Sequence, residues 1–542
     1  DSSDFWGTTK VLGGTLLVNN ALGGVINVDA GGTLGGTGNL GLAGRAVTIA
    51  AGGIHAPGAA QTVLGNYVNQ GTLRIEGNPA GANKVVVAGA VNITGATLDL
   101  VLSPANAASW NVFNGPFTII DKRSAGTVTG TFNPVTKNLL FLDTRVAYDG
   151  GVGNDVTLQL IRNDLSFGNV GQTRNQRATG AAIDTLGSGN ILWRTIALNG
   201  DPNSVRASFD ALSGEIHASA KTALIEDSRF VRNAINDRIR AAFAAPGASH
   251  APALAYASID TPMAVSPDHA GPVFWSYGFG SWGSTDSDGN AAALKRSTGG
   301  LLIGTDGFVG DWRIGLMTGY SHSRFNASDR FSSGDSDNYH FGAYGSTHWG
   351  SFSFRSGLAY TWHELDTRRA VAIPGFSDNL SARYNAGTTQ VFGELGYGMA
   401  AAGARFEPFA NLAYVNLHTG DYAERGGTAA LTGRSDTTGV TFTTAGLRAE
   451  TDLPFWNTLT TLRGMLGWRH AFGDTIPTVT QAFAGSNAFT VAGVPIARDS
   501  AVLEAGLDFN VSPNATFGLA YEGQFASGAD DQGFKANLAV KF

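Results

Sequence analysis

Three groupings in this sequence have residue types that chemistry could use. Gly334-Asp335-Ser336 has the order of a lipase block, in which a serine nucleophile is activated by a neighbouring base. It sits in a run of Ser, Gly, Asp and Asn that reads as a polar loop between strands, so a chance occurrence is the reading. Asp286-Ser287-Asp288-Gly289-Asn290 repeats the first half of a calcium loop, but no Glu stands at the twelfth position to close it, and a turn-rich loop accounts for it better. The 10 His include no His-x-x-x-His pair, and the absence of Cys removes thiolate nucleophiles, thiolate zinc sites and disulfide scaffolds. The expectation is a chain with no catalytic residue, no metal and no cofactor, and not an enzyme.

The remaining charged residues are spaced for position rather than reaction. From Ser213 to Ala245 the apolar residues Ile216, Ala220, Ala223, Leu224, Val231, Ile235 and Ile239 recur at helical intervals. The opposite face carries Lys221, Glu226, Asp227, Arg229, Arg232, Asp237, Arg238 and Arg240, and Pro246-Gly247 ends the pattern. By itself, such a face reads as solvated.

From Val273 onward the period is two. One face of Phe352–Trp362 holds Phe352, Phe354, Leu358, Tyr360 and Trp362, and matching sets are Val273/Trp275/Tyr277/Phe279, Trp312/Ile314/Leu316/Tyr320, Tyr339/Phe341/Ala343, Leu462/Leu466/Trp468 and Ala501/Leu503/Leu507/Phe509. The other face is small or polar and includes Arg313, Arg355, Glu394, Glu407, Arg463, Glu504, Asp508 and Glu522, which suits the wet lumen of a barrel whose apolar face meets lipid. Trp275, Trp312, Trp362, Trp468 and Tyr521 fall near strand ends, where an interfacial girdle would stand. The runs number twelve, an even count that leaves both barrel ends on one side of a membrane. Long polar connections (285–295, 326–337, 366–386, 420–437, 474–497) alternate with tight ones such as Gly310-Asp311. The last run ends Phe534, Ala536, Leu538, Val540, Phe542.

Composition agrees with this architecture. The chain has 542 residues, 74 of them Gly, with 15% charged and a net charge of −7, too acidic for a general nucleic-acid binder. No run reaches the roughly 18 apolar residues of a membrane helix. From Val11 to Leu102, strands of four to six residues such as Val25-Ile26-Asn27-Val28 and Thr72-Leu73-Arg74-Ile75 alternate with Gly-rich turns, a degenerate β-solenoid in which each coil covers its neighbour; a sandwich of short strands is the competing pattern. The apolar segment Trp110–Leu160 would cap that stack. The domains expected are 1–160 (solenoid and cap), 161–245 (helical connector), 246–271 (a Pro- and Ala-rich linker) and 272–542 (barrel). Asp1–Lys10 has no signal-peptide character, so any export signal is expected upstream.

The chain resembles the classical (type V secretion) autotransporters of Gram-negative bacteria, with a pertactin- or adhesin-like passenger end. The resemblance rests on Phe209 to Ser219 (FDALSGEIHAS), Gly299 to Asp306 (GGLLIGTD), Trp312 to Ser321 (WRIGLMTGYS), Tyr360-Thr-Trp-His363 and the terminal Phe542, and upstream on Gly53 to Gly58 (GIHAPG) and Gly65 to Leu73, similar to the family's autochaperone segment. It implies a right-handed parallel β-helix, then a 12-stranded outer-membrane barrel with a helix in its lumen, where Glu226, Arg229, Arg232, Asp237, Arg238 and Arg240 would face the wall. It implies export of the chain's own passenger to the cell surface, with Phe534, Leu538, Val540 and Phe542 forming the signal read by the barrel-assembly machinery. Periplasmic chaperones, outer-membrane lipid and lipopolysaccharide are the implied partners, and a monomer is expected. Some relatives cut the passenger inside the pore with a lumen carboxylate acting near an Asn; Asn233 and Asn236 lie on the helix, and no residue is assigned that role. Two alternatives stay open: a surface adhesin, and a display stem for an enzymatic passenger upstream of residue 1.

Overall fold

Short β-branched runs that end at glycines cannot bury an apolar face alone, and here they stack. The computed structural model describes every residue except 79–80, 106–114, 249–253, 257–261, 265–272, 456–457, 513–514 and 541–542. The chain divides into two units, one formed by 1–172, 180–209 and 372–377, the other by 173–179, 210–371 and 378–542.

The first unit is a β-helix of three ladders of parallel strands. One ladder holds Thr8–Val11, Val25–Val28, Ala46–Ile49, Asn66–Asn69 and Val91–Asn92. Ile26 lies over Val47 and Tyr67 over Val91 in register, so a coil takes roughly 17 to 24 residues, too irregular for a fixed repeat. Inward positions are fully buried: Ile26, Leu34, Leu40, Val47, Ile49, Val63, Leu73, Ile75, Val85 and Val87. Each such side chain contributes on the order of 2 kcal/mol relative to exposure. Gly36, at φ +109°, shows why glycine punctuates the coils: a Cβ there would meet the Val18 carbonyl oxygen at 2.1 Å. The third ladder changes sense at its end, where the hairpin of Leu142–Gly150 and Asp155–Arg162 pairs antiparallel with Phe117–Lys122. Helices Ile191–Ala197 and Pro202–Leu212 follow.

One polar cluster interrupts the solenoid core. His55, Gln61, Tyr67 and Asn69 are all fully buried, and His55 belongs to the Gly53–Gly58 segment. Asn69 donates to the Tyr67 hydroxyl at 2.9 Å, so that hydroxyl gives its own proton to His55 Nδ1 at 2.8 Å. His55 Nε2 then donates to Gln61 Oε1 at 3.0 Å, and Gln61 Nε2 to the Gly35 carbonyl at 3.0 Å. The neutral imidazole satisfies every partner. Burial pushes its pKa from the usual 6.5 to about 4, against an upward pull from the Gln61 bond.

The second unit is a closed antiparallel barrel of twelve strands: Val273–Thr285, Leu294–Val309, Trp312–Ala327, Ser332–Trp349, Phe352–Ile373, Phe376–Tyr397, Ala404–Thr419, Asp436–Phe455, Thr458–Gly473, Asp499–Ser512, Ala515–Ala526 and Ala529–Val540. The seam runs from Gly278 opposite Ala536 to Thr285 opposite Ala529. Two of the expected loops are strand instead. Residues 366–386 form the outer part of the fifth and sixth strands, joined at Pro374-Gly375, and 326–337 is interrupted only near Ser328–Arg330. Beyond lipid both faces of a hairpin are wet, so the apolar alternation fades while backbone pairing continues. Gly334, Asp335 and Ser336 thus lie within the fourth strand, and the buried Ser336 hydroxyl donates to Asn338 Oδ1 at 2.7 Å. The long connections 420–435 and 474–498 build a four-stranded sheet of Tyr422–Ala423, Leu431–Gly433, Thr478–Phe483 and Phe489–Ala492. Within 246–271, Leu254–Tyr256 and Pro262–Ala264 are short strands, and the former pairs with the first barrel strand.

Between pH 6.5 and 4 the unfolded chain takes up a proton that folded His55 refuses. Stability of the solenoid therefore falls as pH drops through that window, by roughly 3 kcal/mol at 1.36 kcal/mol per pKa unit, and is independent of His55 above it. Urea unfolding of the full chain, followed by circular dichroism, should give a lower solenoid midpoint at pH 4.5 than at pH 7. In a His55→Gln variant, less stable at both pH values, that difference should shrink.

Candidate functional site

A 27-residue helix, Ile216–Ala242, occupies the barrel lumen and spans about 40 Å at 1.5 Å per residue. It is shorter at both ends than the 213–245 the sequence suggests: Gly214, at φ +65°, precedes it, and Ala244, at φ +48°, turns the chain away after it. Its charged face meets the lumen wall in a series of matched contacts. Glu226 takes a bidentate bond from Arg469 (2.8 and 2.9 Å), and Arg238 gives one to Asp306 (2.6 and 2.8 Å). Arg229 contacts Asp531, which also holds Arg296 at 2.7 Å. Arg232 donates to Gln390 Oε1 at 2.8 Å, while Gln390 Nε2 returns a bond to the Ser228 carbonyl at 3.1 Å. Asp227 accepts from Ser323 at 2.7 Å. Asp237 lies between Arg240 and Lys535, the latter at 2.8 Å. Carboxylates of Asp237, Glu504 and Glu522 converge within 4.8 Å, and the Lys535 ammonium contacts all three, supplying the positive charge that such a cluster requires.

The wall also pairs with itself. Arg355, Glu394, Glu407 and Arg448, from four successive strands, form a buried quartet with Arg355–Glu394, Arg448–Glu394 and Arg448–Glu407 contacts of 2.7–2.9 Å. Arg313 donates to Asp306, which also accepts from the Tyr344 hydroxyl at 2.8 Å, and Arg463 reaches Glu504 and, at 3.6 Å, Asp508. Arg313, Arg355, Glu394, Glu407, Arg463, Glu504 and Asp508 are buried, and Glu522 meets Lys535. A charge buried without a partner costs several kcal/mol, so matched pairs are what this enclosure tolerates.

The lumen is not polar throughout. Phe230, Val231, Ala234, Ile235 and Ile239 pack against Trp275, Phe279, Leu302, Met317, Tyr344 and Phe392 on the wall. This corrects the phase of the first strand. Trp275 is not in the girdle: it faces inward, 8% exposed, and its indole donates to the Tyr344 hydroxyl at 2.6 Å; Val273 and Phe279 are buried too, and Tyr277 packs against the same cluster. The outward face there is Phe274 and Trp282. The helix stripe is apolar and must be matched by apolar wall, so this strand turns its larger side chains in. Trp312, Trp362 and Trp468 are exposed outward, and half-exposed Tyr521 meets Phe534 edge-on. Phe534 is outward, the strand continues through Leu538 and Val540, and Phe542 lies outside the described residues.

Both helix ends are fastened. At the loop end, Lys221 donates to Asp436 and to the Thr478 carbonyl (2.8 Å each), and Thr222 and Ser219 bind the backbone of Val494. His217 stacks on Tyr422 at 4.0 Å and reaches Glu424 at 3.0 Å, which Arg369 clamps with two 2.7 Å bonds. At the tight-turn end, Phe243 packs on Phe308 and His348, Arg405 donates to the Ala244 carbonyl, and Glu450 accepts from the Gly247 amide at 2.6 Å. A cavity of about 100 Å³ beside the helix is lined by Asn233 and Asn236 among others. The sequence reading missed Asp306, Gln390, Tyr344 and Asp531; their inward parity on each strand was the available signal.

Replacing Glu394 with Gln strips the quartet of a negative charge shared by two guanidinium groups. An uncompensated buried charge costs about 3 to 5 kcal/mol, so the barrel should melt at a clearly lower temperature in detergent. Trp275→Phe should leave fluorescence quenching by brominated lipid unchanged, whereas Trp468→Phe should reduce it.

The family model described as autotransporter beta-domain matches residues 274–522. Two Serratia marcescens proteins named extracellular serine protease are 31% identical to the chain, one across 100% of it and 54% of its own length, the other across 77% of it and 42% of its own length. The chain thus spans about half the length of the curated relatives it matches. The translocator domain of autotransporter NalP from Neisseria meningitidis is similar at 15% identity and a TM-score of 0.41, covering 51% of this chain and 90% of that one. The β domain of the Bordetella autotransporter BrkA gives 18% and 0.39, covering 51% and 100%. The relatives overturn one expectation: proteins that align with this chain are named for proteolysis, so the reading as non-enzymatic is withdrawn.

Proposed function

The chain belongs to the autotransporter family through its outer-membrane β-domain, and from this premise we propose that the barrel is the pore through which the residues preceding the lumen helix reach the cell surface. The observation that carries this reading is the path of the backbone. The helix begins among the long connections, which face outward in outer-membrane barrels, and ends among the tight turns, which face the periplasm. A polypeptide that runs this way through the pore leaves the residues before the helix at the outer mouth and those after it at the periplasmic mouth. The first barrel strand starts at the periplasmic mouth, as this path requires.

The exported part, on this reading, belongs to a surface protease. The name of the Serratia relatives favours this over an adhesin, and the β-helix would then be the stem on which the protease is carried. Cells producing the full-length protein should cleave a peptide substrate at their surface, and a serine-directed covalent inhibitor should abolish the cleavage. Surface protein without such activity would favour the adhesin.

In planar bilayers the barrel with its helix should conduct little, because the helix and its ion pairs leave only small voids. A chain beginning at residue 273 should conduct several-fold more. Equal conductance would remove the basis for the pore reading.

A further inference from the structure

Ser213 to Thr222, which holds the end of the family run FDALSGEIHAS, sits at the loop end of the lumen and meets the outer connections of the barrel. Glu215 accepts from the Ala292 amide at 2.7 Å, in the connection of strands one and two, and lies 3.2 Å from Arg330, in that of strands three and four. His217 takes the Tyr384 hydroxyl at Nδ1, 3.2 Å away on the sixth strand, and gives Nε2–H to Glu424, in the connection of strands seven and eight. The Ser213 carbonyl accepts from Gln481, and Ser219, Lys221 and Thr222 all bond backbone atoms of the 474–498 connection. Five of the six outer hairpins therefore converge on one stretch of ten residues. His217, Ser219, Lys221 and Thr222 are each only 1% to 2% exposed, so the mouth is closed over them.

The sheet built by the two longest connections depends on that stretch. Its strands are 2, 3, 6 and 4 residues long, and a sheet so small needs a surface to pack on. The helix start supplies it. Tyr422 stacks on His217 at 4.0 Å, and Leu431 packs where Gly214, at φ +65°, leaves room for it. Gly493 lies directly on the helix backbone, where a Cβ would overlap the Ser219 nitrogen and the Ala218 carbonyl. Asn175 adds two bonds of 2.8 Å to the backbone of Ala492, in the manner of a neighbouring strand. With any other stretch of chain in the mouth, the Val494 amide and carbonyl and one oxygen of Glu424 would lose these partners, and a buried polar group left unpaired is costly.

We propose that the sheet formed by 420–435 and 474–498 is a lid that folds only when Ser213–Thr222 reaches the mouth, so that the pore is open during passage and seals itself at its end. The proposal rests on the pore reading of the barrel. The mid-lumen pairs fix where the helix rests, and the lid responds to its arrival, because the helix start brings both the packing surface and the hydrogen bonds that the small sheet lacks alone.

Hydrogen exchange of the full chain in detergent, read by mass spectrometry, tests the dependence. Gly493→Val wedges the sheet away from the helix, and Ser219→Ala with Thr222→Val removes the bonds to Val494 without adding bulk. In both variants the amides of 478–483 and 489–494 should exchange roughly tenfold faster, while those of the barrel strands keep wild-type rates. Thr480→Val with Thr490→Val, which deletes a bond on the exposed side of the sheet, should change nothing. Wild-type protection of the sheet in both helix-side variants would overturn the proposal, and it would leave the conductance test of the pore untouched. Timing is read in cells. Thr432→Cys with Ala482→Cys sets a disulfide across the two connections, whose strands pair there in register. The residues preceding the helix should still reach the surface as in the wild type, with the disulfide present in the finished chain. A several-fold loss of surface display that reductant restores would mean a lid closed before passage, and would overturn the proposal.

Discussion

Inside hydrocarbon a backbone N–H or C=O has no water to bond, and each one left unpaired costs several kcal/mol. That requirement closes the sheet between the first and twelfth strands, and the remaining features of the barrel follow from closure. A closed sheet has one face toward lipid, which must be apolar, and one toward an interior too wide for its own side chains to fill. A twelve-stranded barrel therefore needs water or an insert. This one holds a helix, and the helix brings charge, so the wall carries charge of the opposite sign at matching positions.

The insert is two-sided, and the lumen copies it. Where the helix is apolar the wall is aromatic and aliphatic, and where the helix is charged the wall is Arg, Asp, Glu and Gln. The quartet of Arg355, Glu394, Glu407 and Arg448 does not touch the helix through hydrogen bonds of its own; it ties four neighbouring strands together and keeps that wall charged yet compensated.

How much of this the sequence discloses depends on how local each cause is. The period of two is local, since it is set by side chains alternating across one strand, so the twelve runs and the inward parity of Arg313, Arg355 and Glu394 are legible. Phase is less local. In Val273–Thr285 aromatics occur at both parities, Phe274 and Trp282 on one, Trp275 and Phe279 on the other. Only the helix decides which set turns inward, and it is dozens of residues away. Pairing is not local at all: Asp531 gathers Arg229 and Arg296 from two distant segments. The extent of the outer hairpins escapes for another reason, because a strand wet on both faces has no hydrophobic rhythm to read, as in 366–386. The proteolytic activity in the relatives' name has no counterpart in the spacing of the lumen residues; it becomes visible only in the company the chain keeps.

The bonds of Glu226, Arg229, Arg232, Asp237 and Arg238 to five different wall residues also work as an index pin. Sliding the helix by one turn, 5.4 Å, would carry all five past their partners together and leave charge stranded on both surfaces. Rotating it by a third of a turn would drive guanidinium groups into the Trp275 and Phe279 wall. Neither motion passes through a second comfortable seat, so the chain has one axial and one angular resting position in the pore. The stop is a property of the seat itself, and no separate latch is needed to define it.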